Sequence, residues 1–255
     1  MEVFRVLSFA ALAGLTFIPL ERLFGRGGPR RGRLADLGFA TLGELSVQLM
    51  VAVGLGWMLA VVDLIGHAGP LWHSIDDRTM RQIVEVASGL LLFELMGYAY
   101  HRAAHRVPAL WRLHKVHHSA QKMDWLASFR QHPLEIVALT LVQNVPLILL
   151  GIPLGSHALV LLVLRLNTVF VHADLELPGR WWKQVVASPG FHHRHHQRDG
   201  RVVNYASLFP WLDRVFGTYS GESAGAVGLV ERLPESFVGL VLAPIRSARA
   251  RTNDP

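Results

Sequence analysis

The feature that most limits how this chain can fold is a series of apolar blocks long enough to cross a hydrocarbon layer. The blocks cover residues 3–20, 37–66, 83–100 and 134–171, and charged or histidine-rich stretches separate them. A helix needs about 20 mostly apolar residues to cross the bilayer core. With 51% hydrophobic and 17% charged residues, the chain is also too apolar for an ordinary soluble domain. The pattern predicts an all-α, polytopic membrane helix bundle.

The fourth block differs from the others because turn-forming residues divide it. Gly151, Pro153, Gly155 and His157 lie near its middle and favour a turn between two antiparallel helices. Each arm is short for a complete span. We therefore expect about four spans, or three spans plus a helical hairpin, in a single domain of residues 1–255.

The arginines predict the orientation of the chain. Five of them lie within residues 22–33, directly after the first block, and such basic loops are typically cytoplasmic. Eleven of the 14 histidines then fall on the cytoplasmic side, while His67, His73 and His157 fall in the outer loop or at the hairpin tip. We expect a multi-pass protein with a cytoplasmic helical cap that holds a metal site.

Three histidine clusters in residues 101–118 and 192–196 have the spacing of metal ligands. Histidines three or four residues apart lie on one face of a helix, whereas adjacent histidines diverge enough to serve two ions. The clusters are His101 with His105, His114 with His117 and His118, and His192 with His195 and His196. Eight imidazoles exceed the three or four protein ligands of a zinc site, so the sequence indicates two ions. Imidazole suits several metals, so ligand type alone leaves the metal open.

Residues that are absent or rare exclude other chemistry. The chain has no cysteine, which excludes disulfides, thiolate zinc sites and iron–sulfur clusters. Its net charge of +6 comes mostly from arginines beside the apolar blocks. We interpret these arginines as topology signals and expect no nucleic-acid partner.

A histidine-rich membrane metal-ion transporter, or a metal-binding membrane protein, is the main alternative to an enzyme. Histidine clusters in cytoplasmic loops can load metal ions. A transporter should carry ionisable ligands near the middle of its spans, where few candidates occur. These are Glu85, Glu94, Asn144, Arg165 and Asn167.

The order of the clusters resembles that of the fatty acid hydroxylase and sterol desaturase superfamily of membrane di-iron enzymes. HRAAH, HKVHH and HHRHH follow one another, and NYASLFPWLDRVFGTY comes after them. FRQHPLE at residues 129–135 resembles an intervening motif of the family. The likeness runs from about Glu94 to Tyr219, roughly half of the chain, and three ordered boxes with a tail motif are more specific than one box.

The resemblance implies a set of metal ligands and their supporting residues. His172 resembles an additional ligand before the third box. The implied ligands are His101, His105, His114, His117, His118, His172, His192, His195 and His196. His132 and His193 are expected either to bind a metal or to support a ligand. Glu135, Asp199 and Asp213 are expected to hydrogen-bond ligating imidazoles, and no catalytic residue is expected beyond the metal ligands.

The resemblance also implies a reaction. Two iron ions, which zinc could replace in purified protein, would use O2 to oxidise a C–H bond of a fatty acyl chain, sterol or isoprenoid lipid. Hydroxylation is expected, with desaturation as the alternative. The lipid substrate would enter from the bilayer. A separate electron-donor protein is expected, because the chain has no flavin-type or haem-attachment motif. Metal binding should fail at acidic pH as the ligands become protonated.

Overall fold

The protein is described from a computed structural model that covers residues 2–28, 32–65, 74–152, 158–199, 201–222 and 225–252. Within these ranges no β-strand occurs, and the one β-type pairing is an isolated bridge between Gln197 and Val227. The predicted all-α class is therefore confirmed. His67, His73 and His157 lie outside the described residues, as do residues 153–156 of the predicted hairpin turn.

Ten α-helices follow one another in the described part of the chain. They are α1 (Glu2–Phe24), α2 (Arg33–Gly38), α3 (Glu44–Ile65), α4 (Arg78–Ala104), α5 (Pro108–His118), α6 (Pro133–Leu149), α7 (Ala158–His172), α8 (Pro189–His195), α9 (Pro210–Val215) and α10 (Phe237–Thr252). A π-helical turn, Phe39–Gly43, joins α2 to α3 without a break, and short 3-10 turns occupy Trp125–Phe129 and Trp182–Gln184.

Three helical segments are long and apolar enough to cross a membrane. They cover Val3–Phe24, Arg33–Trp57 and Arg78–Ala104. Large apolar side chains on them face outward, as Leu15 does with 78% of its surface exposed. Such exposure suits contact with lipid rather than water. Together these features identify a membrane helix bundle, in which α6 and α7 are the shorter apolar arms that the hairpin prediction expects.

The spans converge on the loops that carry the histidines. Phe17 of α1, Val169 of α7 and Trp125 pack in one buried cluster, which joins two helices to the 3-10 turn after α5. Tyr98 of α4 packs with Tyr205 and Leu212 in another. The C-terminal ends of α4 and α7 therefore lie close to the segments that carry the other histidines. We call this histidine-containing region at the ends of the helices the polar layer, and α4 and α7 contribute His101 and His172 to it.

Buried polar contacts fix this layer to the spans. Arg130 Nε donates to Asp36 Oδ1 over 2.5 Å, and both side chains are almost fully buried. On the other side of the layer, the segment after α8 lies between two spans. Leu208 N donates to Glu94 Oε2 of α4 over 2.8 Å, and Asn167 Nδ2 of α7 donates to Ser207 O over 3.0 Å.

The Arg130–Asp36 ion pair gives a test of this architecture. We expect Arg130→Ala to lower the free energy of unfolding by about 3–5 kcal/mol, because it leaves a buried carboxylate without its cation. Arg201→Ala, at an exposed position, is the matched control and should change stability little. Unfolding of the detergent-solubilised proteins measures both. Equal stabilities of the two variants would contradict the structural role of the pair.

Candidate metal centre

Nine histidines form two neighbouring groups in the polar layer. The first set is His101, His105, His114, His118 and His195, and the second set is His117, His172, His192 and His196. Within each set, one ring nitrogen from every histidine lies within 4.8 Å of those of the others. These nine residues are the nine that the sequence analysis assigns as ligands.

Short helices and helix ends position these side chains. Ser188 caps α8 by accepting a hydrogen bond from Phe191 N, and Pro189 occupies the first turn. Pro108 starts α5 in the same way. Proline suits this position because the first helical N–H groups lack intrahelical partners. Pro108 and the Ser188 cap thus define where α5 and α8 begin, and each of these helices contributes to both sets.

The Nε2 atoms of the first set face one another. His105 Nε2 lies 3.0 Å from His114 Nε2 and 3.1 Å from His195 Nε2, and His118 Nε2 lies 3.1 Å from those same two atoms. His101 Nε2 is buried and has no hydrogen-bond partner among the described residues. The first set therefore presents five ring nitrogens to one small volume.

The second set is built in the same way. His172 Nε2 lies 3.2 Å from both His117 Nε2 and His192 Nε2, and His196 Nε2 lies 3.1 Å from His192 Nε2. The two sets are in contact, because the rings of His118 and His196 stack with centroids 4.2 Å apart.

Hydrogen bonds at Nδ1 determine which nitrogen carries the proton in four of these histidines. The acceptors are Tyr205 O for His101, Arg130 O for His117, Thr168 O for His172 and Val203 O for His195. Carbonyl oxygens only accept hydrogen bonds, so Nδ1 must donate and Nε2 keeps its lone pair. Histidine ligands of metals are typically oriented in this way. His114 Nδ1 is hydrogen-bonded to Glu135 Oε1, and a carboxyl group either accepts or, when protonated, donates.

The contact between His117 and His172 is one that a bound cation would stabilise. Both rings donate through Nδ1, so their Nε2 lone pairs point at each other over 3.2 Å. Two acceptors cannot form a hydrogen bond. A cation between the rings would satisfy both lone pairs. The residues present therefore fit a bound metal, and the site is a candidate metal centre.

Burial keeps the imidazoles neutral. Desolvation is the main cause that lowers the pKa of His117, His118 and His196 well below the usual value, and interactions with neighbouring histidines lower it further. The pKa values of His114, His192 and His195 are shifted in the same direction for the same reasons. Neutral imidazole is the form that binds metal.

His132 and His193 lie outside both sets and support the site through the backbone. His132 Nδ1 accepts a hydrogen bond from Leu134 N and so caps α6, while its Nε2 donates to Val241 O of α10. His193 Nε2 donates to His172 O over 3.2 Å. Of the two roles that the sequence left open, the support of neighbouring structure is the one that these contacts fit.

The three carboxylates expected near the ligands occupy different places. Glu135 lies 2.5 Å from His114 Nδ1 and contacts a ring of the first set directly. Asp213 instead accepts hydrogen bonds from Tyr205 N, Ala206 N and Thr218 Oγ1, so it acts on the imidazoles only through the backbone. Asp199 is exposed, and no hydrogen bond from a histidine reaches it within the described chain.

Sequence reasoning missed the backbone carbonyls that hold the rings. Val203 O and Tyr205 O flank Asn204, which is fully buried and has a left-handed conformation with φ of 59°. Asn204 Nδ2 donates to Phe191 O and Ser220 O. Asparagine tolerates this conformation better than most residues. The asparagine–tyrosine pair of the tail motif was the available signal, but nothing in the sequence indicates where a carbonyl points.

Comparisons with known proteins agree with this description of the site. The sequence model named fatty acid hydroxylase matches residues 86–218, just over half of the chain. That range contains all nine histidines and the segment that carries Asp213. No solved structure matches the chain.

Several curated proteins are similar in sequence. Ornithine lipid hydroxylase of Rhizobium tropici is 23% identical over 82% of this chain and 65% of its own length. Human alkylglycerol monooxygenase is 29% identical over 51% of this chain and 29% of its own length. Methylsterol monooxygenase 1 of Rattus norvegicus is 30% identical over 48% of this chain and 41% of its own length. The chain thus spans less than two thirds of each of these relatives.

The lowered histidine pKa values predict how the metal-free protein responds to acid. Below about pH 6.5 the unfolded chain gains protons on these imidazoles while the folded chain does not, so stability falls as pH falls. Each such histidine contributes up to about 1.4 kcal/mol per pH unit. Thermal unfolding of the metal-free protein should begin at a lower temperature at pH 5.5 than at pH 7.5. His117→Gln with His172→Gln should reduce this difference, and a pH-independent midpoint would contradict the prediction.

Proposed function

The chain belongs to the fatty acid hydroxylase family, and from this premise we propose that it is a membrane oxidoreductase that hydroxylates a lipid with O2 at two iron ions. The balanced reaction converts a C–H bond, O2, two electrons and two protons into a C–OH group and water. The observation that carries the proposal is the pair of adjacent histidine sets, in which unprotonated Nε2 atoms face one another.

The number and spacing of the donors in the first set support an ion with more than four ligands. With metal–nitrogen bonds of about 2.1 Å, tetrahedral ligands would lie about 3.4 Å apart and ligands at right angles about 3.0 Å apart. The short Nε2–Nε2 distances of the two sets range from 3.0 to 3.2 Å. The first set also offers five imidazoles, one more than a tetrahedral ion can bind. These features argue against a single tetrahedral zinc ion in the first set, and the choice of iron rests on the family.

The protein contributes position, neutrality and exclusion of water. Iron ions bound by the two sets would supply the activation of O2 that an unactivated C–H bond requires. The Nδ1 hydrogen bonds hold the rings in place, and Glu135 sets the orientation of His114. All members of the second set are buried, so water has little access there. A neutral ligand shell leaves the full positive charge on each ion.

The location of the site supports a lipid substrate. His101 lies in the last turn of a membrane span, and His172 ends the apolar arm α7, so the site lies where these apolar helices end and within reach of lipid in the bilayer. The named relatives act on an ornithine lipid, an alkylglycerol and a methylsterol, and all three are termed hydroxylases or monooxygenases. We favour hydroxylation over desaturation on this basis.

The proposal also includes orientation and electron supply. The arginines in residues 22–33 favour a cytoplasmic location for the histidine layer. A separate electron-donor protein would deliver electrons there. A transporter fits less well, because the two sets lie at the ends of the spans and their rings are held by hydrogen bonds. A transport site is expected near the middle of the membrane.

Metal analysis tests the two-ion part of the proposal. The purified protein should contain about two iron atoms per chain, because each set supplies enough imidazoles for one ion. His195→Ala in the first set and His192→Ala in the second should each retain about one. Asp199→Ala, at an exposed position that no histidine contacts within the described chain, should retain the full content. Elemental analysis by plasma mass spectrometry measures all four proteins, and a full metal content in both ligand variants would contradict the assignment.

The reaction itself is tested with isotopically labelled oxygen. The protein in lipid nanodiscs, supplied with a chemical reductant and a mixture of ornithine lipid, alkylglycerol and methylsterol, should place one labelled oxygen atom in a lipid product. Mass spectrometry of the extracted lipids detects it. The protein with both His192→Ala and His195→Ala is the control and should form no labelled product. An unsaturated product without label would instead support desaturation, and metal-loaded protein that oxidises no lipid would contradict the proposal.

A further inference from the structure

A group of exposed apolar side chains lies beside the spans on two separate segments. One segment is the 3-10 turn Trp182–Gln184 with its neighbours, and the other is α9. The side chains and their exposed fractions are Trp181 79%, Val185 57%, Trp211 38%, Val215 69% and Phe216 43%. We name this group the apolar shelf. Exposed apolar groups of this kind mark an interaction surface.

Hydrogen bonds join the two halves of the apolar shelf. Arg214 Nη1 of α9 donates to Gln184 O over 3.0 Å, and its second nitrogen also contacts the Gln184 side chain. The guanidinium lies over the Tyr219 ring, 4.3 Å from its centroid. Ala187 N donates to Leu208 O over 2.8 Å. The shelf is therefore one surface held in a fixed arrangement.

Contacts with α4 and α7 give the position of the shelf along the spans. Phe216 stacks on Tyr98 with ring centroids 4.9 Å apart, and Trp182 lies beside Phe170 at 6.2 Å. Leu208, which pairs with Glu94, lies deeper still. At about 1.5 Å per residue, Tyr98 and Glu94 lie about 5 and about 10 Å before His101 along α4.

The length of α4 relates these contacts to the bilayer. The α4 helix has 27 residues, and a hydrocarbon core about 20 residues long that is centred on this helix covers about residues 81–101. Tyr98 and Glu94 therefore lie on the hydrocarbon side of the boundary, and so do the segments that pack against them. An apolar surface at this depth continues the lipid-facing surface of the spans. Its composition fits the boundary, where tryptophan is common and an exposed basic side chain such as Arg180 can reach phosphate groups, whereas Lys183 is paired with Glu222.

We propose that the apolar shelf is inserted into the cytoplasmic-side lipid interface, so that the loop after the third histidine box is a membrane-embedded part of the protein. Its partner is the bilayer itself: acyl chains contact the apolar side chains and lipid headgroups contact the flanking Arg180. This proposal depends on the spans and not on the metal or the reaction. Interfacial elements typically lie about 5–10 Å into the boundary between headgroups and acyl chains, which matches the depth of these contacts.

The absence of cysteine makes a direct measurement of depth possible. Single variants Val185→Cys and Val215→Cys, each labelled with a nitrobenzoxadiazole fluorophore, are placed in phosphatidylcholine nanodiscs. Leu15→Cys, 78% exposed on α1, serves as the membrane reference. Val230→Cys, 76% exposed on the segment that packs over the loop after α5, serves as the aqueous reference. An unchanged elution volume and helix content by circular dichroism show that each variant is folded.

We expect positions 185 and 215 to lose fluorescence when the lipids carry a nitroxide near the headgroup, and to lose less with a nitroxide deep in the chain. Position 15 should show the opposite order, and position 230 should respond only to iodide in solution. Iodide quenching at 185 and 215 equal to that at 230 would overturn the proposal. Protection from both iodide and lipid nitroxides would also overturn it, because a protein, such as a second copy of the chain, would then cover the shelf.

Discussion

The packing of unprotonated imidazole nitrogens against one another is the constraint on which the rest of this structure depends. The Nε2 atoms of His117 and His172 face each other away from water, and neither carries a proton because both rings donate through Nδ1. Buried acceptors without donors are unfavourable, and a metal-free site of this kind tends to rearrange. The surrounding protein counters that tendency at Nδ1, where the hydrogen-bond partners come from α6, α7, the loop before α6 and the segment after α8. Much of the loop structure around the histidines supplies the hydrogen bonds that hold the imidazole rings in place.

The sequence predicted the helical class and the three histidine clusters, because these depend on periodicity and spacing. His172 was expected only from the family resemblance, and the division of the nine histidines into two sets was not predicted. An apolar block of about 20 residues indicates a membrane span, and histidines three or four residues apart on a helix share a face. Two helices begin earlier in the structure than the predicted spans do. One begins at Arg33 instead of residue 37, and the other begins at Arg78 instead of residue 83. Charged side chains at helix ends are compatible with both helix and loop, so composition does not fix the boundary.

Other features of the site could not be predicted, because they arise from long-range backbone contacts. Asp213 was expected to contact an imidazole, yet it binds two N–H groups of the loop whose carbonyls hold His101 and His195. A buried aspartate must accept hydrogen bonds from nearby donors, but the sequence does not identify which atoms donate them. Asp199 has the same side chain in a similar sequence context and lies on the surface. Only the path of the chain distinguishes them.

The assignment of His117 to one set and His118 to the other has a further consequence. Consecutive residues of a helix differ in direction by about 100°, so the angle between the two sets is a property of α5 itself. The α8 helix and the residue that follows it repeat the arrangement, with His195 in one set and His192 and His196 in the other. The helical geometry of α5 and α8 thus determines the relative positions of the two sets. An insertion of one residue within either helix would rotate every later ligand away from its set, so the lengths of the boxes, unlike those of the intervening loops, have no freedom to vary.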